Sequence, residues 1–301
     1  MPMIGQLFNR LQADSLFRQE IRNSMADPTP TNRTCPVPFR SLTPFLMIAF
    51  GIAWGILALY IFQPELMTRA FGNLTGEHPL FFLSVYSPAI AAFILIARYG
   101  GLKGWDLFFS RIFLWRCASG WYAFIFIAIP IVFYAGAAIK GTLAGNWFPF
   151  ASVRDLSMAL VLSAIKGPIE EFGWRGFALP LLQRRFTPFG AGLILGIIWG
   201  AWHFPAFLLS GTQQSNWSFA PFFLGCIALS IIVTLLFNAS GGSILLSAIF
   251  HFMLMNPIFP DAQPFDTYLL VLITGVMIWF NRKHLFNRET AVVEVIPSQT
   301  G

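Results

Sequence analysis

Charge is what this sequence has least of: Asp, Glu, Lys and Arg make up 11% of its 301 residues, against about 25% in an ordinary soluble domain. Too little charge is present to cover a water-exposed surface, which excludes a soluble globular domain. Cysteine is scarce as well. Cys35, Cys117 and Cys226 lie far apart, form no CxxC pair and show no metal-ligand spacing, so no disulfide framework is expected. Residues 1–43 lack the apolar core and small-residue cleavage site of a secretory signal. There is no internal repeat, and no long basic face despite a net charge of +6. The basic residues sit between apolar runs, which argues against nucleic acid as a partner and for the charge bias of membrane loops.

What the sequence has in abundance is apolar surface: 56% hydrophobic residues, 34 of them Phe. Crossing the hydrocarbon core takes about 20 mostly apolar residues in a helix. Spans are expected near 45–62, 80–97, 121–139, 156–173, 188–209, 219–238, 243–259 and 267–281. The fold class is therefore all-α, a polytopic membrane helix bundle of about eight transmembrane helices. The fourth span carries Lys166, Glu170 and Glu171, and the seventh is short and ends at Pro257.

Eight spans put both termini on one side, and the charges then sort. Arg10, Arg18, Arg22, Arg33 and Arg40 precede the first span. The second loop holds Arg98, Lys103, Arg111 and Arg116, the fourth Arg184 and Arg185, and the C-terminal tail Arg282, Lys283 and Arg288. The opposite side keeps only Arg69, Lys140 and Arg154. Positive charge is retained in the cytoplasm, so both termini are expected there, and the short loops suggest a cell inner (plasma) membrane. The organisation is a cytoplasmic N-terminal tail over 1–43, a bundle over 44–282 with its core at 156–257, and a cytoplasmic tail over 283–301. In the first tail Ile4, Leu7, Phe8 and Leu11 recur at helical spacing near Arg10, the pattern of a helix lying on a membrane surface.

A carboxylate inside a membrane helix costs a few kcal/mol or more unless it is paired or hydrated, and is a functional candidate by default. The segment 166–175 has two in a row. Glu171 and Arg175 are four apart, share a helix face and can pair. Glu170 points about 100° away and has no local partner. Solvated charges at a helix end are the plainer explanation, but two of the four histidines, His203 and His251, also lie in apolar spans. Each alone reads as a helix–helix hydrogen-bonding group. Together with Glu170 on a third helix they can converge in a bundle interior. His78 and His284 lie at a span edge and in the basic tail. A Glu/His/His set could ligate zinc, yet no HExxH is present. There is no GxSxG elbow and no aspartate pair within a span. A carboxylate base with a His partner to activate water remains open.

These residues resemble the signatures of the CAAX prenyl protease and bacteriocin-processing family, the Abi family of intramembrane glutamic endopeptidases. Glu170-Glu171-x-x-x-Arg175 followed by Gly176 is similar to the first signature. The second has an aromatic residue four before a His, here Trp199 and His203. The third is a His with Asn or Asp four residues on, of which His251 supplies the His. The runs Leu114-Trp-Arg and Asn238-Ala-Ser-Gly-Gly-Ser-Ile look like the family's lead-ins, and the resemblance covers roughly 80–257. It implies that Glu170 and His203 activate water, that His251 with Asn256 stabilises the oxyanion, and that Glu171, Arg175 and Trp199 are supporting residues. It implies no metal and no cofactor. The substrate would be a membrane-associated or lipidated protein or peptide cut near its C-terminus, within membrane lipid. One place departs: four after His251 stands Met255, with Asn256 one step later and Pro257 behind it. That departure feeds the alternative of a weak or inactive family member acting as a membrane scaffold, immunity or regulatory protein. A small proton-coupled transporter fits less well without repeated halves.

Overall fold

The computed structural model describes residues 37–143 and 150–298. The surface helix expected from Ile4, Leu7, Phe8 and Leu11 lies outside the described residues. Among those described, the chain is helical with no strand. The elements are α1 (Leu42–Phe62), α2 (Pro64–Phe71), α3 (Pro79–Phe109), α4 (Ser119–Lys140), α5 (Val153–Gly173) and α6 (Leu179–Gln183). They continue as α7 (Pro188–Trp202), α8 (Phe219–Ala239), α9 (Ile244–Leu254), α10 (Phe265–Phe280) and α11 (Arg282–Leu285). Every expected span coincides with a helix, and α2, short and amphipathic, is an addition.

Five of these segments are long and apolar enough to cross a membrane: Phe39–Phe62, Pro79–Phe113, Ser119–Lys140, Pro188–Leu208 and Phe219–Ala239. The protein is an integral membrane protein. The other three places differ for physical reasons. The 21-residue α5 carries Arg154, Asp155, Lys166, Glu170 and Glu171. α10 has 16 residues, and α9 has 11, about 16 Å of helix at 1.5 Å per residue, so both fall short of the bilayer core. Side chains follow a bundle in lipid: Phe62 and Phe280 point outward, while Ser87, Thr234, Glu171 and Arg175 are buried.

The loops meet in two groups, one at each end of the bundle. On one face Arg184 donates to the carbonyls of Val37 and Val293, at 2.5 and 2.8 Å. Arg111 donates to those of Gly242 and Glu294, at 3.0 and 2.5 Å. The start of the described chain, the second, fourth and sixth loops and the C-terminal segment therefore meet. On the other face Gly76 pairs with Gly211, and Lys140 with Asp261 at 2.6 Å. Cysteine-accessibility labelling is expected to put residues near Arg288 and near Gln213 on opposite sides of the membrane. Labelling of both from one side would contradict this arrangement.

The C-terminal segment is a strap and not a loose tail. Gln183 donates to the Val292 carbonyl, Asn238 accepts from the Val292 amide, and Val295 and Ile296 are buried. Gly242 is obligatory here, since its φ is +91° and a Cβ would lie 1.8 Å from the Arg111 guanidinium. Arg111→Ala should leave the buried Gly242 carbonyl without its donor and cost about 1–3 kcal/mol, read as a lower melting temperature in detergent.

Close approaches at glycine fix the helices that carry the site. A Cβ at Gly196 of α7 would lie 2.6 Å from the Ile227 Cα, and one at Gly192 2.9 Å from the Thr234 hydroxyl, both on α8. This small-residue stripe lets α7 and α8 pack backbone to backbone. A Cβ at Gly173 would meet the backbone of Pro88 at 2.5 Å, locking α5 onto α3. Two π-helical turns, Phe124–Ala128 and Trp174–Ala178, come just before Pro130 and Pro180. Each proline removes an N–H from the helical ladder, and the wider turn accommodates the loss.

Candidate active site

The site is built where α5, α7 and α9 meet. Pro168 and the π turn at Trp174–Ala178 bracket the acidic pair on α5. Such π turns recur at functional positions in helices. Glu170 and Glu171 are both almost fully buried, at 4% and 1% exposure. As the spacing predicts, they face different neighbours.

Glu171 Oε1 accepts from Arg175 at 3.0 Å and contacts His251 Nδ1 at 2.7 Å. One carboxylate oxygen thus ties a turn of α5 to α9. Its other oxygen, and Arg175 Nε and Nη2, have no hydrogen-bond partner among the described residues. The Arg175 guanidinium instead lies over the Trp199 ring, 4.6 Å from the centroid, where the negative face of the indole attracts it.

Glu170 has a partner that the sequence reading did not give it: Trp199 Nε1 donates to its Oε2 at 2.8 Å. The Trp199 carbonyl lies 2.8 Å from His203 Nδ1. A carbonyl only accepts, so Nδ1 carries the proton and Nε2 has the free lone pair. Trp199 also packs edge-on to both histidine rings, 5.6 Å from His203 and 5.5 Å from His251. It is the hub of the site, holding Glu170 through its indole, His203 through its backbone and Arg175 through its ring face. Among aromatic residues without a ring N–H, such as Phe, none could donate to Glu170, so the donor was visible in the sequence but not its partner.

His251 is buried, with Nε2 against Gly167: a Cβ there would lie 2.7 Å from Nε2 and 2.2 Å from Met255 Sδ. Gly167 makes room for the imidazole, a role that spacing alone did not reveal. Met255 stays on the His251 face because its amide still bonds the His251 carbonyl, at 3.2 Å. Asn256 does not join the others. α9 has ended at Leu254, and the Asn256 carboxamide oxygen accepts from the Ile258 amide at 3.1 Å. The turn before Pro257 uses Asn256 locally. His78 caps α3, accepting from the Leu80 amide at 3.1 Å, and His284 is exposed.

Five long apolar helices and shorter ones around a buried carboxylate pair, two inward histidines and a tryptophan hub define a polytopic helical membrane protein with a polar centre inside its bundle. Residues 152–256, the stretch that contains this centre, match the family model "Type II CAAX prenyl endopeptidase Rce1-like". The CAAX prenyl protease 2 of Methanococcus maripaludis is 30% identical over 177 residues, 55% of this chain and 65% of that protein. The chain thus spans just under two thirds of that relative's length. The family that the three motifs resemble is also the one whose model residues 152–256 match.

Proposed function

We propose that the protein is an intramembrane glutamic endopeptidase that hydrolyses a membrane-associated or lipidated protein near its C-terminus. The observation that carries this reading is the division of the acidic pair: Glu171 is tied to Arg175 and His251, while Glu170 is held by a single donor from Trp199. In this reading Glu170 takes a proton from water as the water oxygen bonds to the scissile carbonyl carbon, and the C=O electron pair moves onto oxygen. His203, with Nε2 free, shares in orienting that water. His251 is held by Glu171 as histidine is held in a carboxylate–imidazole pair; protonated on both nitrogens, it offers Nε2–H to the oxyanion. Glu170 returns its proton to the leaving amine as the C–N bond breaks. Asn256 contributes to the oxyanion only if its turn opens. The bilayer is the cell's plasma membrane with the Val37–Glu294 face cytoplasmic, the side where positive charge collects. The name of the archaeal relative supports a prenylated substrate.

A second reading has a specific observation behind it. Met255 stands in place of the family's polar residue, and Asn256 is occupied in its own turn. A non-catalytic scaffold or immunity protein would keep the fold and lack turnover. The two are separated by incubating purified protein with a farnesylated C-terminal peptide and its unprenylated counterpart. Shortened product from the farnesylated peptide supports the protease; intact peptide with a folded protein supports the scaffold. Activity is expected to survive EDTA, because the carboxylate acts on water directly. Loss with EDTA and recovery with zinc would make Glu170, His203 and His251 ligands instead.

A further inference from the structure

A second site lies away from the acidic pair, on the outside of the bundle. α4 and α10 pack closely at one end, where a Cβ at Gly136 would lie 2.8 Å from the Asp266 amide. Toward the other end they leave an open apolar groove of about 510 Å³ on the outer surface. Gly120, Trp121 and Phe124 form one wall, and Leu272, Val276 and Met277 the other. Ala118 and Asn281 line its end toward the face with Arg111 and the strap.

That end is basic and flanked by tryptophan. Arg116 precedes Ala118 by two residues, and Arg282 and Lys283 follow Asn281 directly; residues 110–118 and 281–288 contain no acid. Arg116 lies over the ring of Trp115 at 5.5 Å and Arg282 over Trp279 at 5.1 Å, with both indoles exposed. The loop that bears Arg116 is fixed, since Tyr122 donates to the Trp115 carbonyl and Ser243 to the Leu114 carbonyl. Exposed Trp beside Arg is the pattern of a headgroup-level anchor. A basic mouth on an apolar inter-helix groove suits a lipid phosphate with its chain in the groove.

We propose that this groove binds one anionic phospholipid, its acyl chain between α4 and α10 and its phosphate at Arg116, Arg282 and Lys283. The site does not depend on the protease reading. Gly120 offers a clean probe, because a Cβ there meets nothing within 4 Å. Gly120→Leu adds apolar bulk to the groove lining at a position where a Cβ meets no protein atom. Full-length protein is equilibrated with equimolar phosphatidylglycerol and phosphatidylcholine, and retained lipid is counted by native mass spectrometry. The wild type should retain phosphatidylglycerol in preference, by roughly fivefold for each basic residue engaged. Gly120→Leu should retain neither lipid while melting as the wild type does. Arg116→Gln with Arg282→Gln and Lys283→Gln should retain both lipids equally. Equal retention by the wild type, retention unchanged in Gly120→Leu, or displacement of phosphatidylglycerol by farnesol at equal concentration would overturn the proposal. The last result would assign the groove to a prenyl chain.

Discussion

Glu170→Gln protein is expected to melt where the wild type melts and to cleave 10²–10⁴-fold more slowly, the usual cost of losing a general base. The amide is nearly isosteric with the carboxylate, and its carbonyl oxygen still accepts from Trp199 Nε1, now at 2.8 Å from Oε2. Nothing else among the described residues is hydrogen-bonded to that side chain, so little of the fold depends on its charge. What disappears is the lone pair basic enough to take a proton from water. Single-turnover cleavage and a detergent melt on the same preparation check the expectation. A variant that melts early would show that Glu170 holds the bundle.

Glu171→Gln is expected to fail differently. Arg175 is fully buried, and Glu171 is its only ion-pair partner among the described residues, at 0% and 1% side-chain exposure. Removing one member of a buried pair leaves an uncompensated charge and costs about 3–5 kcal/mol, a large share of the roughly 5–15 kcal/mol that holds a typical domain. The cation–π contact with Trp199 offsets a small part of that. Arg175→Ala should lose less, because Glu171 keeps its contact with His251 at 2.7 Å. Because Glu171 also holds His251 at 2.7 Å, activity should fall together with stability in Glu171→Gln. A stable but inactive Glu171→Gln beside an unstable Glu170→Gln would reverse the two assignments.

The spans were legible because lipid demands a single property, apolarity over about 20 residues, and a sequence displays that directly. Their alternation was legible through the basic loops, and the meeting of Arg184 with Val37 and of Arg111 with Gly242 follows that order. The Glu171–Arg175 pair was legible because four residues is a helical contact distance. What was hidden depends on which helices touch. Neither the indole of Trp199 on Glu170 nor the imidazole of His251 on Glu171 follows from spacing, since 29 and 80 residues separate the partners. The Gly192-x-x-x-Gly196-x-x-x-Gly200 stripe could have shown that α7 has a tightly packed neighbour, though not that the neighbour is α8. The strap at 292–296 is an apolar run too short to span a bilayer, and its place was hidden because side chains from elsewhere hold it by its backbone.

The central claim is that the buried centre adds water to a peptide bond. Its most direct test is cleavage of a farnesylated C-terminal peptide by the purified protein in H₂¹⁸O, with the product masses read for wild type and Glu170→Gln. Single-turnover cleavage by the wild type should place one ¹⁸O in the newly formed carboxyl group, while Glu170→Gln, equally folded, leaves the peptide essentially intact. An intact peptide with folded wild-type protein, or cleavage by Glu170→Gln at the wild-type rate, would contradict it.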